Sequence, residues 1–176
     1  MLFQNGQLKV RRLQVKDNYL LVKWLSDPSV LAFYEGRDNP FDLDKVNKAF
    51  YDSDDDEVKC VVEFDGKEIG YIQFYPLDDE TKKEYGYQDA TIYGMDQFIG
   101  EVSYWNKGIG TLLVSSMVTF LIEHKEAERV VMDPQTWNTW AIRCYEKCGF
   151  KKVRILPNHE LHEGEYRDCW LIEYYN

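Results

Sequence analysis

Cysteine is scarce in this chain and badly spaced for a metal. Cys60, Cys144, Cys148 and Cys169 include no C-x-x-C pair, and His159 and His162 have no cysteine pair to complete a ligand set. A zinc site is therefore not expected. Cys144 and Cys148 are four residues apart, which stacks them on one face of a helix but does not suit a disulfide. All four read as reduced, partly buried thiols. Long apolar runs are also missing. The longest candidate, Ile109 to Ile122, is interrupted by Gly110, Thr111, Ser115 and Ser116, and it falls short of the roughly 18 residues that span a bilayer. MLFQNGQLKVRR lacks the basic segment, apolar core and small-residue cleavage site of a signal peptide, so no membrane association and a cytoplasmic location are expected. Basic residues are the minority, 21 against 31 acidic ones, for a net charge of −10. That excludes a nucleic-acid partner, whose phosphates need a basic face. It fits either plain solubility or a cationic ligand. There are no repeats and no Pro/Gly/Ser linker, and residues 1–176 are read as a single domain.

What is present is an alternation of strand and helix patterns. LKVRRL (Leu8 to Leu13) alternates as a strand. Lys16 to Phe33 carries apolar residues at helical spacing, broken at Asp27-Pro28. Asp42 to Tyr51 reads as a second helix, capped by Asp42. VKCVVEF and IGYIQFY read as strands joined by a tight turn at Asp65-Gly66. An acidic, tyrosine-rich loop, Leu77 to Asp89, is expected next, then the strand TIYGMDQFIG. From Gly108, the positions Ile109, Leu112, Leu113, Ser116, Met117, Phe120 and Leu121 mark one face of a helix. RVVMDP is a short buried strand. NTWAIRCYEKCGF is a helix that Gly149 ends in a left-handed cap. KKVRIL and CWLIEYY close the chain as an expected antiparallel pair of strands, and the class is mixed α/β.

Two segments carry chemistry. Lys107-Gly108-Ile109-Gly110-Thr111 lies between a strand and the long helix, where glycines let backbone N–H groups approach an anion and the helix N-terminus adds favourable partial charge. Spaced glycines alone also serve ordinary strand-to-helix turns, and neither a P-loop nor a Rossmann fingerprint is present. One strand later comes Asn138-x-x-Ala141-Ile142-x-x-Tyr145-x-Lys147-x-Gly149-Phe150, with Ala141, Ile142 and Tyr145 on one helix face. A core helix with a glycine cap explains the second segment but not both segments in this order.

Together, WNKGIGT and N-x-x-A-I-x-x-Y-x-K-x-G-F resemble the two acetyl-CoA motifs of the GNAT superfamily of N-acyltransferases. The resemblance implies a GNAT-type α/β (α+β) fold, a mixed central sheet flanked by helices. It also implies acetyl-CoA as co-substrate, no metal, and direct attack of an amine on the thioester. Trp105 stands where an Arg or Gln is usual, three residues before the first motif glycine. That matters little if backbone amides supply the phosphate contacts. WLSDPSVLAFYEGRD, IYGMDQFIGE, YWNKGIGT, MDPQTWNTWAIRCYEKCGF and HELHEG further resemble aminoglycoside 6′-N-acetyltransferases, including the acetyltransferase half of bifunctional aminoglycoside-modifying enzymes.

Carried over by position, the resemblance implies that Lys107, Gly108, Ile109, Gly110 and Thr111 hold the pyrophosphate. Phe98, Ile99 and Gly100 pair with the pantetheine and offer an N–H to the thioester oxygen. Asn138 contacts the pantetheine, and Ala141 lines the cofactor. Asp96 receives the reacting ammonium, either as a base whose pKa is raised from ~3.9 by burial or as an orienting group while water takes the proton. An aspartate that merely ends a strand is the plain alternative. Tyr145 is the acid for the leaving thiolate, or else a core tyrosine. Asp133 binds a second ammonium, or only begins a proline turn. Tyr34, Glu35, Tyr51 and Glu57 complete the acceptor side, aromatic faces for sugar rings and acids for ammonium groups. HELHEG is expected as a substrate-side loop, with Glu160 or Glu163 facing cations. The implied acceptor is the 6′-amine of a cationic aminoglycoside. Other amines stay open (a protein N-terminus, a polyamine, a siderophore lysine), as does a CoA-binding module without catalysis.

Overall fold

The computed structural model describes residues 1–88 and 90–175. The alternation at Leu8 and Val10 produces β2 (Leu8–Arg12), with both side chains fully buried, because successive strand residues face opposite sides. β2 pairs antiparallel with β1 (Phe3–Asn5) and with β3 (Val58–Phe64). Asp65 and Gly66 then take positive φ angles of 51° and 79°, the two-residue turn favoured between hairpin strands, and lead into β4 (Lys67–Pro76). Between β2 and β3 in sequence lie three short helices, α1 (Asn18–Trp24), α2 (Pro28–Leu31) and α3 (Leu43–Val46). The break expected at Asp27-Pro28 is there: Asp27 caps α2 by accepting from the Ser29 N–H at 2.9 Å. The second expected helix is α-helical only through Val46, and Asn47–Tyr51 winds as a π-helical turn.

After β4 come α4 (Asp79–Tyr85), β5 (Ile92–Ile99), α5 (Ile109–Lys125) and β6 (Arg129–Met132). The chain ends with α6 (Thr139–Lys147), β7 (Lys151–His162) and β8 (Glu165–Tyr175). The strands hydrogen-bond in the order β1-β2-β3-β4-β5-β6-β8-β7. β5 and β6 run parallel, while β6–β8 and β8–β7 run antiparallel, so the sheet is mixed. No helix among the described residues is long and apolar enough to cross a membrane.

Two sequence expectations need correction. Leu77 to Asp89 is not all loop: Asp79–Tyr85 is helical, with Asp78 accepting from the Thr81 N–H at 2.7 Å and Gly86 left-handed at φ 81° after the last turn. Asp89 lies outside the described residues. HELHEG is not a loop either. It forms the end of β7 and a two-residue turn at Glu163-Gly164, φ 50° and 83°, that pairs His162 with Glu165.

The chain folds into two compact units. The first comprises Met1–Gln73 and Gln97–Ile109. Its core gathers Leu20, Leu21, Trp24, Leu31, Tyr71 and Phe98. Asp17, 2% exposed, is a buried charge with full compensation. Arg11 donates to its two oxygens at 2.8 and 2.9 Å, and the Gln14 N–H donates at 2.8 Å. Burial is the largest single influence and would raise its pKa, but the Arg11 and Gln14 hydrogen bonds and the charges of Arg11 and Lys16 together hold it below the usual carboxylate range.

The second unit comprises Phe74–Asp96 and Gly110–Asn176. Leu77, Ile92, Val131, Leu156, Cys169 and Leu171 form one of its cores. Burial on α5 extends beyond the expected face to Val114 and Val118. α6 ends as its sequence predicts. Gly149 is left-handed at φ 99°, its N–H donates to the Glu146 carbonyl at 3.0 Å, and the Phe150 N–H donates to the Tyr145 carbonyl at 3.1 Å. This paired pattern satisfies carbonyls that the helix end leaves over.

Candidate active site

In the first unit, two of the predicted residues, Tyr34 and Phe98, meet in an aromatic cluster. Phe98 lies 4.7 Å from Tyr34 and 5.6 Å from Tyr71 by ring centroids, and Trp24 meets it edge-on at 6.1 Å. The Tyr71 hydroxyl donates to Gln73 Oε1 at 2.6 Å, and Gln73 Nε2 donates to Glu57 at 2.6 Å. Glu57 thus connects to the aromatic cluster. Burial, then neighbouring Asp55, pushes its carboxyl up. Tyr51 is committed elsewhere: its hydroxyl donates to the Gln14 carbonyl at 2.6 Å, and burial followed by Asp17 pushes it up to about 12. Glu35 is exposed, in a left-handed conformation at φ 75°, and accepts from Asn39 at 3.2 Å.

The segment predicted to follow the pantetheine is partly spoken for. The Gly100 N–H donates to the Ile69 carbonyl at 2.7 Å, and Trp105 Nε1 donates to the Ile99 carbonyl at 2.8 Å. Gly100 is a glycine for a packing reason: a Cβ there would sit 2.2 Å from Cγ of Trp24. The Gly100 N–H is thus already engaged with Ile69, one of the three positions in the segment expected to offer an N–H to the thioester oxygen. Trp105 has its own structural task in bracing the segment through Ile99.

The turn ahead of α5 has different reasons for its glycines. Asn106 and Gly108 are left-handed, at φ 59° and 78°, on either side of exposed Lys107. A Cβ on Gly108 or on Gly110 would meet nothing within 4 Å. Gly110 has no positive φ and no close neighbour, so neither backbone conformation nor packing demands a glycine there. Open space beside the first N–H groups of a helix is what an anion requires. The residues present therefore fit a pyrophosphate.

In the second unit, Asp96 lies within β5 rather than at its end, half-buried and next to fully buried Met95. Asp133 follows β6 directly, and its Oδ2 is 2.9 Å from Nε2 of His159. His159 is aimed there by an irregularity in β7, where the register with β8 shifts between Leu156 and Glu160 and Asn158 is left-handed at φ 47°. The Tyr85 hydroxyl lies 3.4 Å from the same ring nitrogen. Burial chiefly, then the charges of Asp133, Glu84, Cys169 and Asp96, push the Tyr85 phenol up. The Asp133 hydrogen bond raises the His159 pKa against burial, with Glu84 and Glu160 assisting. The negative charges of Asp133 and Glu84 thus bear on both Tyr85 and His159, that of Asp96 on Tyr85, and that of Glu160 on His159. Of these, Tyr85, Glu84 and His159 were missed as site residues by the sequence reading. The helical signals of α4 were the clue to the first two.

On α6, Asn138 is the N-cap, its Oδ1 accepting from the Ala141 N–H at 3.4 Å, which leaves its Nδ2 donors out of the cap. Tyr145 stands in the same helix, half-buried, with its ring 6.4 Å from Phe150. Among the described residues, no group of three or more His, Cys, Asp or Glu is arranged to hold a metal ion.

Similarity to known proteins agrees with this architecture. The aminoglycoside N(6')-acetyltransferase type 1 of Klebsiella pneumoniae is 28% identical over 159 residues, covering 84% of this chain and 76% of that protein. The crystal structure of aminoglycoside acetyltransferase AAC(6')-Ib in complex with coenzyme A matches with a TM-score of 0.76 at 23% identity, over 96% of this chain and 95% of that one. Spermidine N-acetyltransferase from Vibrio cholerae, in complex with CoA and spermine, gives 0.77 at 18% identity, over 97% and 96%. At these identities the two structures speak for the fold. The Acetyltransferase (GNAT) domain family matches residues 14–157, most of the chain, and this protein belongs to that family.

Proposed function

We propose that this protein transfers the acetyl group of acetyl-CoA to the 6′-amine of an aminoglycoside. The observation that carries the acceptor assignment is the set of carboxylates near Tyr85 and His159: Asp133, 2.9 Å from His159, with Asp96, Glu84 and Glu160 adding negative charge. A ligand with several ammonium groups suits it, and the net charge of −10 draws such a ligand in. Family membership and the similarity to aminoglycoside acetyltransferases support the transfer chemistry.

In this reading the turn Lys107–Thr111 binds the pyrophosphate of acetyl-CoA, with Lys107 adding positive charge and Gly110 leaving room. Asn138 holds the pantetheine with its amide donors. The neutral amine nitrogen attacks the thioester carbon, and collapse of the tetrahedral species expels the CoA thiolate. Asp96 receives the ammonium and takes or steers its proton. Tyr145 donates to the sulfur, since a phenol near ~10 and a thiol near ~8.5 are close enough for transfer. Holding amine and thioester together can lower the barrier by roughly 7–11 kcal/mol, so a weak base suffices.

The same carboxylates would also receive a polyamine, which is the second reading. CoA release from acetyl-CoA, measured with kanamycin and with spermidine, separates the two. Kanamycin-dependent release that falls about 100-fold or more in Asp96→Asn is the expected result. Release with spermidine alone would move the acceptor to polyamines, and no kanamycin-dependent release would refute the aminoglycoside assignment.

A further inference from the structure

Trp137 and Gln135 lie between β6 and α6, and the transfer chemistry above uses neither. Trp137 stays 41% exposed, although tryptophans are highly buried on average. It is exposed and yet held. Its Nε1–H donates to Gln135 Oε1, and its ring packs against the buried imidazole of His162 with 5.6 Å between centroids. Gln135 is the opposite case, a polar side chain only 8% exposed. Both ends of its amide are spent on exposed residues: Oε1 accepts from Trp137, and Nε2 donates to Glu160 Oε1 at 2.9 Å. The backbone here is strapped to β8. The Trp170 N–H donates to the Pro134 carbonyl at 2.8 Å, and the Thr136 N–H to the Asp168 carbonyl at 2.9 Å. Ordering an indole and a glutamate that stay exposed gains the fold little, because little apolar surface leaves water. It suits a ligand that meets both, since the entropy of ordering them is lost before binding.

Glu160 also adjoins the carboxylates assigned to the acceptor. Its Oε2 is 4.0 Å from Cys169 Sγ, and burial first, then the charges of Glu160 and Asp133, push that thiol up to about 12. Arg167, opposite Glu160 in the β7–β8 ladder, pairs with Glu165 at 3.2 Å. We propose that Trp137 stacks its indole on a sugar ring of the aminoglycoside while Glu160 takes an ammonium group of that ring, and that Gln135 is the positioning residue that holds both. The inference rests on reading the acceptor as an aminoglycoside. An aminosugar presents a face of C–H groups made more positive by its ammonium, and the face of an indole is negative. A linear polyamine carries the charge without the ring face, so this contact favours the aminoglycoside.

Steady-state kinetics of wild type, Trp137→Ala, Trp137→Phe and Gln135→Met test this, with kanamycin and spermidine as acceptors. Trp137→Ala is expected to raise the KM for kanamycin about tenfold, with kcat and the KM for acetyl-CoA within about twofold of wild type. Trp137→Phe keeps an aromatic face but loses the indole N–H, and it restores most of the kanamycin KM. A role confined to the hydrogen bond with Gln135 would leave the Phe variant as impaired as the Ala variant. Gln135→Met suits a buried position, removes both hydrogen bonds, and raises the kanamycin KM although the indole is still present. An unchanged kanamycin KM in Trp137→Ala, no rescue by Phe, or an equal rise in the spermidine KM overturns the stacking and leaves the aminoglycoside reading intact. An unchanged KM in Gln135→Met overturns the positioning role. If wild type releases no CoA with kanamycin, the aminoglycoside reading fails, and this inference with it.

Discussion

His159 holds a carboxylate that a cationic acceptor would need. Its Nε2 lies 2.9 Å from Asp133, and it is faced by Tyr85, Glu84 and Glu160 as well. The pKa is raised on folding, so the pair contributes stability fully below the unfolded value near ~6.5. That contribution is lost as pH rises through the higher folded value. His159→Gln should therefore unfold more easily than wild type in mildly acidic solution, by on the order of 1 kcal/mol, with the gap closing above neutrality. Chemical denaturation of both proteins across pH 5 to 9 checks this, and a gap that widens with pH would contradict the pairing. At this scale the sequence was a partial guide. Asp96 and Asp133 were singled out through the motifs around them. His159 was not, because its aim depends on a register shift in β7 that no residue pattern announces. Nor does the pattern announce that the Tyr51 hydroxyl is held by the Gln14 carbonyl, which leaves its ring face as the part that could meet a sugar.

Among the elements, α5 gives the sharpest contrast between stability and binding. Gly110 sits in its first turn with open space around it. Gly110→Glu replaces a poor helix former, worth roughly 0.5–1 kcal/mol, and places an acid where the helix dipole favours one. The variant should melt at or above the wild-type temperature while losing acetyl-CoA affinity by at least about tenfold. Thermal melting and calorimetric titration on one preparation measure both. Lower stability with intact affinity would show that the glycine serves the fold. Helices α5 and α6 were readable because periodicity and terminal signals agreed, down to the Gly149 cap. α4 was equally signalled by Asp78, Asp79, Glu80 and Gly86, but its charged surface imitates a loop. HELHEG imitates one too, since the two-residue turn at Glu163-Gly164 leaves exposed polar strand ends on both sides.

For the molecule as a whole, charge is the property that composition reports directly. A net −10 should steer and hold a multiply charged cation, and salt screens such interactions over about 10 Å at 0.1 M. The KM for kanamycin is expected to rise by about tenfold between low salt and roughly 0.5 M, while the KM for anionic acetyl-CoA rises much less. Steady-state kinetics across a salt series test this, and equal shifts for both substrates would contradict it. The mixed α/β class was legible from the alternation of patterns, but the strand order was not. β8 pairs with β6 and leaves β7 at the edge, a choice made by long-range pairing that local periodicity does not encode. The resemblance to the GNAT motifs supplied what periodicity lacked.

The most direct measurement is nuclear magnetic resonance of the product formed from kanamycin and acetyl-CoA by the purified protein. A single acetyl group on the 6′ nitrogen is the expected result. Acetylation at another nitrogen, or no acetylated kanamycin at all, would contradict the proposed function.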